Sequence, residues 1–149
     1  MSATFTISST GSGNSLYLYD ASAGSASAIG TLPVIPNSYG SPCLNAASDI
    51  GFQANFSSGR AYAARIGATT QIYAGDANVV PGSPWTYLYT PSFDRHGKVA
   101  TKVTLVSGGD EYLVFAPGAA PVVLATDMKA NPASPYKSLD NGVSLNDEG

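Results

Sequence analysis

Ser41-Pro-Cys-Leu-Asn-Ala-Ala-Ser-Asp-Ile-Gly-Phe-Gln-Ala54 and Thr90-Pro-Ser-Phe-Asp-Arg-His-Gly-Lys-Val-Ala-Thr-Lys-Val103 follow one pattern. A hydroxyl residue and Pro lead to an apolar residue, then an Asx, then Gly or Ser three positions on, then a β-branched or small residue. Asn45 and Asp94 stand 49 residues apart, and a third copy opens at Ser144-Leu-Asn-Asp-Glu-Gly149, with Asn146 52 residues beyond Asp94. An Asx side chain at the head of a four-residue turn accepts backbone N–H groups, and Gly at its end tolerates left-handed backbone. The motif therefore predicts a short strand (42–44, 91–93 and 143–145), a turn from Asx to Gly or Ser (Asn45 to Ser48, Asp94 to Gly97, Asn146 to Gly149) and the next strand of a hairpin.

Outward from these turns the chain alternates apolar and polar residues in short runs rich in Val, Ile, Tyr, Phe and Thr, punctuated by Gly, which is the hairpin signature. The runs are 3–8, 15–19 and 27–31; 49–56, 60–66 and 69–74; and 98–106, 111–115 and 121–126. A looser Pro-containing connection follows each set, at 32–40, 76–84 and 127–135. No stretch carries a 3.6-residue apolar period. The expected fold is all-β: one domain, 1–149, of three blade-like repeats (1–48, 49–97 and 98–149), each offering about four strands as propeller blades do. A β-sandwich with coincidentally similar turns is the alternative.

The lead Ser-Pro-x-Leu followed by Asn-x-x-Gly-x-x-x-Phe resembles a family of bacterial tandem-repeat proteins named for that NxxGxxxF motif. Asn45 and Phe52 keep the Asn and Phe, with Ser48 for Gly; Asp94 and Gly97 keep the turn, with Thr101 for Phe; Asn146 and Gly149 keep its first half. The resemblance implies units of about 50 residues shaped like propeller blades, and no activity.

The third repeat is cut. Writing Gly149 ahead of Met1 continues its turn into the alternating strand Ala3, Phe5, Ile7. Closed propellers take about four to eight blades, so three repeats do not close alone and two copies would supply six. The 143–145 strand of one copy would then pair with 3–8 of another in a two-fold dimer, covering two exposed edges.

Composition narrows the partners. Only 11% of the 149 residues are charged and the net charge is −3, which argues against nucleic acid. One cysteine, Cys43, makes no internal disulfide, and one histidine, His96, builds no His-rich metal site. No cofactor or metal is expected. The longest apolar run, 121–125, falls far short of a membrane span, and the first residues carry no cleavable secretory signal. Low charge with abundant Ser, Thr, Gly and Tyr favours an extracellular or virus-particle setting over the cytoplasm.

Candidate sites are few. Trp85-Thr-Tyr-Leu-Tyr89 would place Trp85, Tyr87 and Tyr89 on one face, suited to stacking on sugar rings or to an ordinary core or interface. His96 beside Asp94 reads as a solvated turn rather than half of a nucleophilic pair, and Cys43 as a filler. The pairs Asp110-Glu111 and Asp147-Glu148 read as solvated turns, although converging carboxylates could serve a hydrolase. Gly11-Ser-Gly13 lacks the Lys and helix of a phosphate loop. Asn55-Phe-Ser57 is a sequon at a strand end. The leading expectation is a non-enzymatic structural or binding module, oligomeric and propeller-like, such as a virus-particle or cell-surface component. The alternatives are a lectin-like glycan binder and a hydrolase.

Overall fold

In a computed structural model the chain is described over residues 3–10, 13–29, 32, 34–45, 48–94 and 96–146. All regular structure there is antiparallel β, and no sheet closes into a barrel. The first sheet holds β1 (Ala3–Thr10), β2 (Gly13–Asp20) and β3 (Ser25–Ala28). The second holds β4 (Ser38–Leu44), β5 (Ile50–Asn55), β6 (Arg60–Ile66) and β7 (Thr69–Gly75). The third holds β8 (Trp85–Leu88), β9 (Ser92–Phe93), β10 (Val99–Leu105), β11 (Asp110–Phe115) and β12 (Val122–Thr126). Each sheet is a meander in chain order, with β8 and β9 sharing one edge of β10. The second and third sheets each take their leading strands from the end of one sequence repeat and the other three from the next.

Period-2 patterning decides which side chains meet. On β5 and β6, Ile50, Phe52, Ala54 and Ala63 join Leu16, Ile29 and Leu32 in a core against the first sheet. The alternate residues Tyr62 and Ala64 join Leu88, Phe93, Val99, Val103, Leu113 and Phe115 in a second core against the third sheet. The strands β5 and β6 of the middle sheet are thus buried on both faces. Gly51 leaves room for the Phe93 ring, whose Cγ lies 2.7 Å from where a Cβ would stand.

The repeated motif builds the same device twice. Pro cannot donate to a ladder. Accordingly, the register shifts between Gly40 and Cys43 around Ser41-Pro42, and Thr90-Pro91 separates β8 from β9. Asn45 Oδ1 accepts the Asp49 N–H at 2.9 Å, and Asp94 Oδ1 accepts the N–H groups of His96 and Lys98, each at 2.8 Å. Ser48 and Gly97 both take left-handed backbone, at φ 66° and 80°. The two turns touch: Asn45 Nδ2 donates to the Asp94 carbonyl at 3.2 Å. In the third copy, Asn146 lies at the edge of the described residues and Gly149 outside them. The expected 143–145 strand joins no ladder among the described residues; the Leu145 N–H donates to Ser92 Oγ at 2.9 Å instead.

The Pro-containing connections after the second and third sheets are ordered rather than loose. Asp76 and Asp127 are both buried, and each opens the pattern Asp-x-x-x-x-Pro-x-Ser-Pro-aromatic, closing at Trp85 and Tyr136. Ala77 N–H donates to Trp85 O, and Met128 N–H to Tyr136 O, both at 2.7 Å. Val80 N–H reaches Asp76 O, and Asn131 N–H reaches Asp127 O, at 2.8 and 2.9 Å. Trp85 N–H and Tyr136 N–H donate to Ser83 Oγ and Ser134 Oγ at 3.3 and 3.1 Å.

Close approach at Gly51 makes a direct test of the middle layer. Gly51→Ala is expected to cost about 1–3 kcal/mol by overpacking against Phe93. Denaturant unfolding measures it, and an unchanged midpoint would contradict this packing.

Candidate functional site

The aromatic segment does not present three rings on one face. The register between β8 and β10 slips at Thr104/Leu105, so that Trp85 opposes Leu105 while Tyr87 opposes Thr104 and Leu88 opposes Val103. One extra residue in a strand reverses the side on which those beyond it point. Trp85 therefore packs with the Leu88 core, edge-on to Phe115 at 5.4 Å. Tyr87 and Tyr89 pack on each other instead, ring centroids 4.7 Å apart, with the Arg60 guanidinium 4.1 Å over Tyr87 and the Lys102 ammonium 4.4 Å over Tyr89.

Tyr87, 38% exposed, lines an open polar cleft with Ser38, Asn55, Arg60, Asp76 and Asn78. Asn55 Nδ2, the sequon amide, donates to Ser38 Oγ at 3.2 Å. The Asp76 oxygens accept N–H groups from Arg60, Asn78 and Val79 at 2.8–3.1 Å. Arg60 Nη1 makes one long contact, 3.5 Å, to Leu88 O, and the guanidinium forms no ion pair among the described residues. Such a cleft can hydrogen-bond a polyhydroxylated ligand along its rim.

The other candidates are separated or already engaged. Asp94 is fully buried and spends Oδ1 on its own turn, while His96 is exposed. Cys43 is half-buried, its thiol donates to Gly51 O at 3.4 Å, and burial pushes its pKa up to about 11. Asp110 and Glu111 open β11 rather than sitting in a turn. Asp110 pairs with Lys102 at 2.8 Å and accepts Thr104 Oγ1 at 2.7 Å, and burial raises the Glu111 pKa. Asp147, Glu148, Gly11 and Ser12 lie outside the described residues. Among the described residues no three His, Cys, Asp or Glu side chains gather as metal ligands.

Sequence reasoning missed Lys102, which is 4% exposed and buried in the third sheet's outward layer. Its ammonium donates to Leu139 O at 2.9 Å and Asn141 Oδ1 at 3.0 Å, besides pairing with Asp110. Burial works against the charged form. The hydrogen bond and charge of Asp110, with Tyr89, outweigh it and hold the pKa above that of free lysine. Gln53, 49 residues earlier, does the corresponding thing: its Nε2 donates to Leu88 O at 2.7 Å. The signal lay in the repeat itself, since both positions fall eight residues after the motif Asx.

No family model matches the chain, and no curated protein or solved structure matches it either.

Two measurements check these assignments. Asp94 Oδ2 is buried without a hydrogen-bond partner among the described residues, and Asn45 performs the same capping as a neutral amide. Asp94→Asn should change stability by less than about 1 kcal/mol, whereas Asp94→Ala, which strands two turn N–H groups, should cost about 2–4 kcal/mol. Equal losses for both would refute the capping role. A thiol pKa near 11 leaves on the order of 0.1% as thiolate at pH 8, so Cys43 should react with a disulfide reagent at least about 100-fold more slowly than free cysteine; a rate matching the free amino acid would place the thiol in solvent.

Proposed function

We propose that this chain is a non-enzymatic structural or binding module, a propeller-like scaffold of blade-like sheets that assembles with copies of itself into a ring of six sheets, three from each of two copies. The observation that carries this reading is the repetition of one inter-sheet linkage. Gln53 of the second sheet ties down Leu88 at the start of the third, and Lys102 of the third ties down Leu139 in the segment that follows. A linkage that recurs with the repeat is an additive rule for stacking, as in radial assemblies. The stapled Asx turns of Asn45 and Asp94 place equivalent points of two sheets side by side, as a common centre requires. The resemblance to NxxGxxxF repeat proteins points the same way.

Four of the aspartates are committed to capping and clasping: Asp76, Asp94 and Asp127 to turns, Asp110 to Lys102. Assembly on a virus particle or cell surface suits the low charge. The cleft at Arg60 and Tyr87 favours a second reading, glycan binding, because it combines an exposed aromatic ring with amide, hydroxyl and guanidinium donors. If the scaffold reading holds, light scattering should return about 30 kDa, twice the 15.2 kDa chain mass. A monodisperse 15 kDa species at all concentrations would remove it.

A further inference from the structure

We infer that residues 136–146 are a docking strand, and that its occupant is β1 of a second copy. This rests on the scaffold reading above and names the surfaces that would join. The segment begins as β8 begins. The connection before it repeats the hydrogen bonds that lead into Trp85, with Tyr136 in the place of Trp85. Leu139 stands where Leu88 stands, 51 residues on, and is likewise buried, 8% exposed. Three oxygens converge on the Lys102 ammonium, two of them from this segment, and Tyr112 Oη donates to Asp140 O at 2.9 Å. A segment held by such contacts is laid down as a strand is laid down, yet residues 137–145 join no strand ladder among the described residues.

The complementary gap is in the first sheet. β5 has β4 and β6 beside it, and β10 has β8 with β9 on one side and β11 on the other. β1, which opens its hairpin as β5 and β10 open theirs, pairs only with β2 among the described residues. An unpaired row of N–H and C=O groups is a template for another strand. Faces match as well as edges. Leu16 and Leu18 pack toward the middle sheet, so period-2 geometry turns Tyr17 and Tyr19, both half-buried, to the other side. The third sheet offers Tyr112 and Val114, also half-buried, beside Lys102 and Ala100 on the face away from the second core. Pairing 136–146 with a partner's β1 brings these two faces together and gives the first sheet the fourth strand its neighbours have. The two-fold repeats the junction, so each copy donates one strand and receives one.

Lys102 and Gln53 do the same work, which makes the clasp testable apart from the fold. The full chain and its Lys102→Gln, Lys102→Met and Leu139→Asp variants are compared by analytical ultracentrifugation across concentration. Lys102→Gln keeps a donor but leaves Asp110 without its cation, so it should weaken the dimer by about three- to tenfold; Lys102→Met and Leu139→Asp should weaken it by more than about tenfold. A photoreactive residue at the exposed Ser144, in a mixture of isotopically light and heavy copies, should join residues 3–10 of the other copy. Variants that leave a dimer unweakened, or cross-links confined to one copy or landing elsewhere, overturn this docking strand while the scaffold reading stands. A wild-type chain that stays monomeric overturns both. Ser144 keeps the test decisive even if Leu139→Asp fails to fold.

Discussion

A buried carbonyl must find a donor, and an edge strand carries carbonyls that its own ladder does not satisfy. Where Thr90-Pro91 breaks the strand after β8, Leu88 O and Tyr89 O turn to the second sheet. Gln53 Nε2 and Tyr62 Oη answer them, with Thr101 Oγ1 adding a bond from the third sheet itself. The rest of the structure depends on this exchange. A sheet finished within itself would have no directional tie to its neighbour, since apolar contact alone is non-directional. Here the Gln53 and Tyr62 ties join the second sheet to the third, and a hydrophobic core fills the space between them.

The same constraint explains the composition of the middle sheet. A layer packed on both faces must be thin where its neighbours are bulky, and β5 and β6 meet this with Gly51, Ala54, Ala61, Ala63 and Ala64 between the larger Phe52 and Tyr62. Phe52 serves one core and Tyr62 the other. Small residues let backbones approach, and the tyrosine carries its hydroxyl to a partner rather than burying it unpaired. What looks in the sequence like a weakly apolar, alanine-rich stretch is among the most deeply buried of the described segments.

How much was legible follows from these facts. Strands with clean alternation between glycine turns read directly: residues 60–66 are β6 as expected, and the expected 98–106 and 111–115 became Val99–Leu105 and Asp110–Phe115. The Asx turns at Asn45 and Asp94 read equally well, because their hydrogen bonds are local. The side on which Trp85 points did not, since a bulge in the β8–β10 pairing is a property of two strands and leaves no mark on one. Lys102 was invisible for a different reason. A lone lysine in a strand is ordinarily solvated, and only its register with Gln53 reveals a buried tie. The connectors after β7 and β12 looked like loose proline loops until their bonds proved to repeat, 51 residues apart.

Gln53 and Lys102 also show why one device can appear in neutral and in charged form. The amide brings a donor to a carbonyl at little desolvation cost. The ammonium must be compensated when buried, and Asp110, Asn141 Oδ1 and the Tyr89 ring provide this around it. Compensation raises the Lys102 pKa above its unfolded value, so the stabilisation is complete below pH of about 10.5 and is lost only as pH rises through the shifted value. At neutral pH the lysine side of the clasp is therefore charged. Under the proposed assembly, the inter-copy junction therefore carries the ion-paired version of the tie, while the junction inside one chain, where connectivity already holds the sheets together, rests on the Gln53 amide and the Tyr62 hydroxyl with one long Arg60 contact. A contact between separate copies must offset lost translational and rotational freedom that a covalently connected contact does not lose, and the stronger clasp stands at that place.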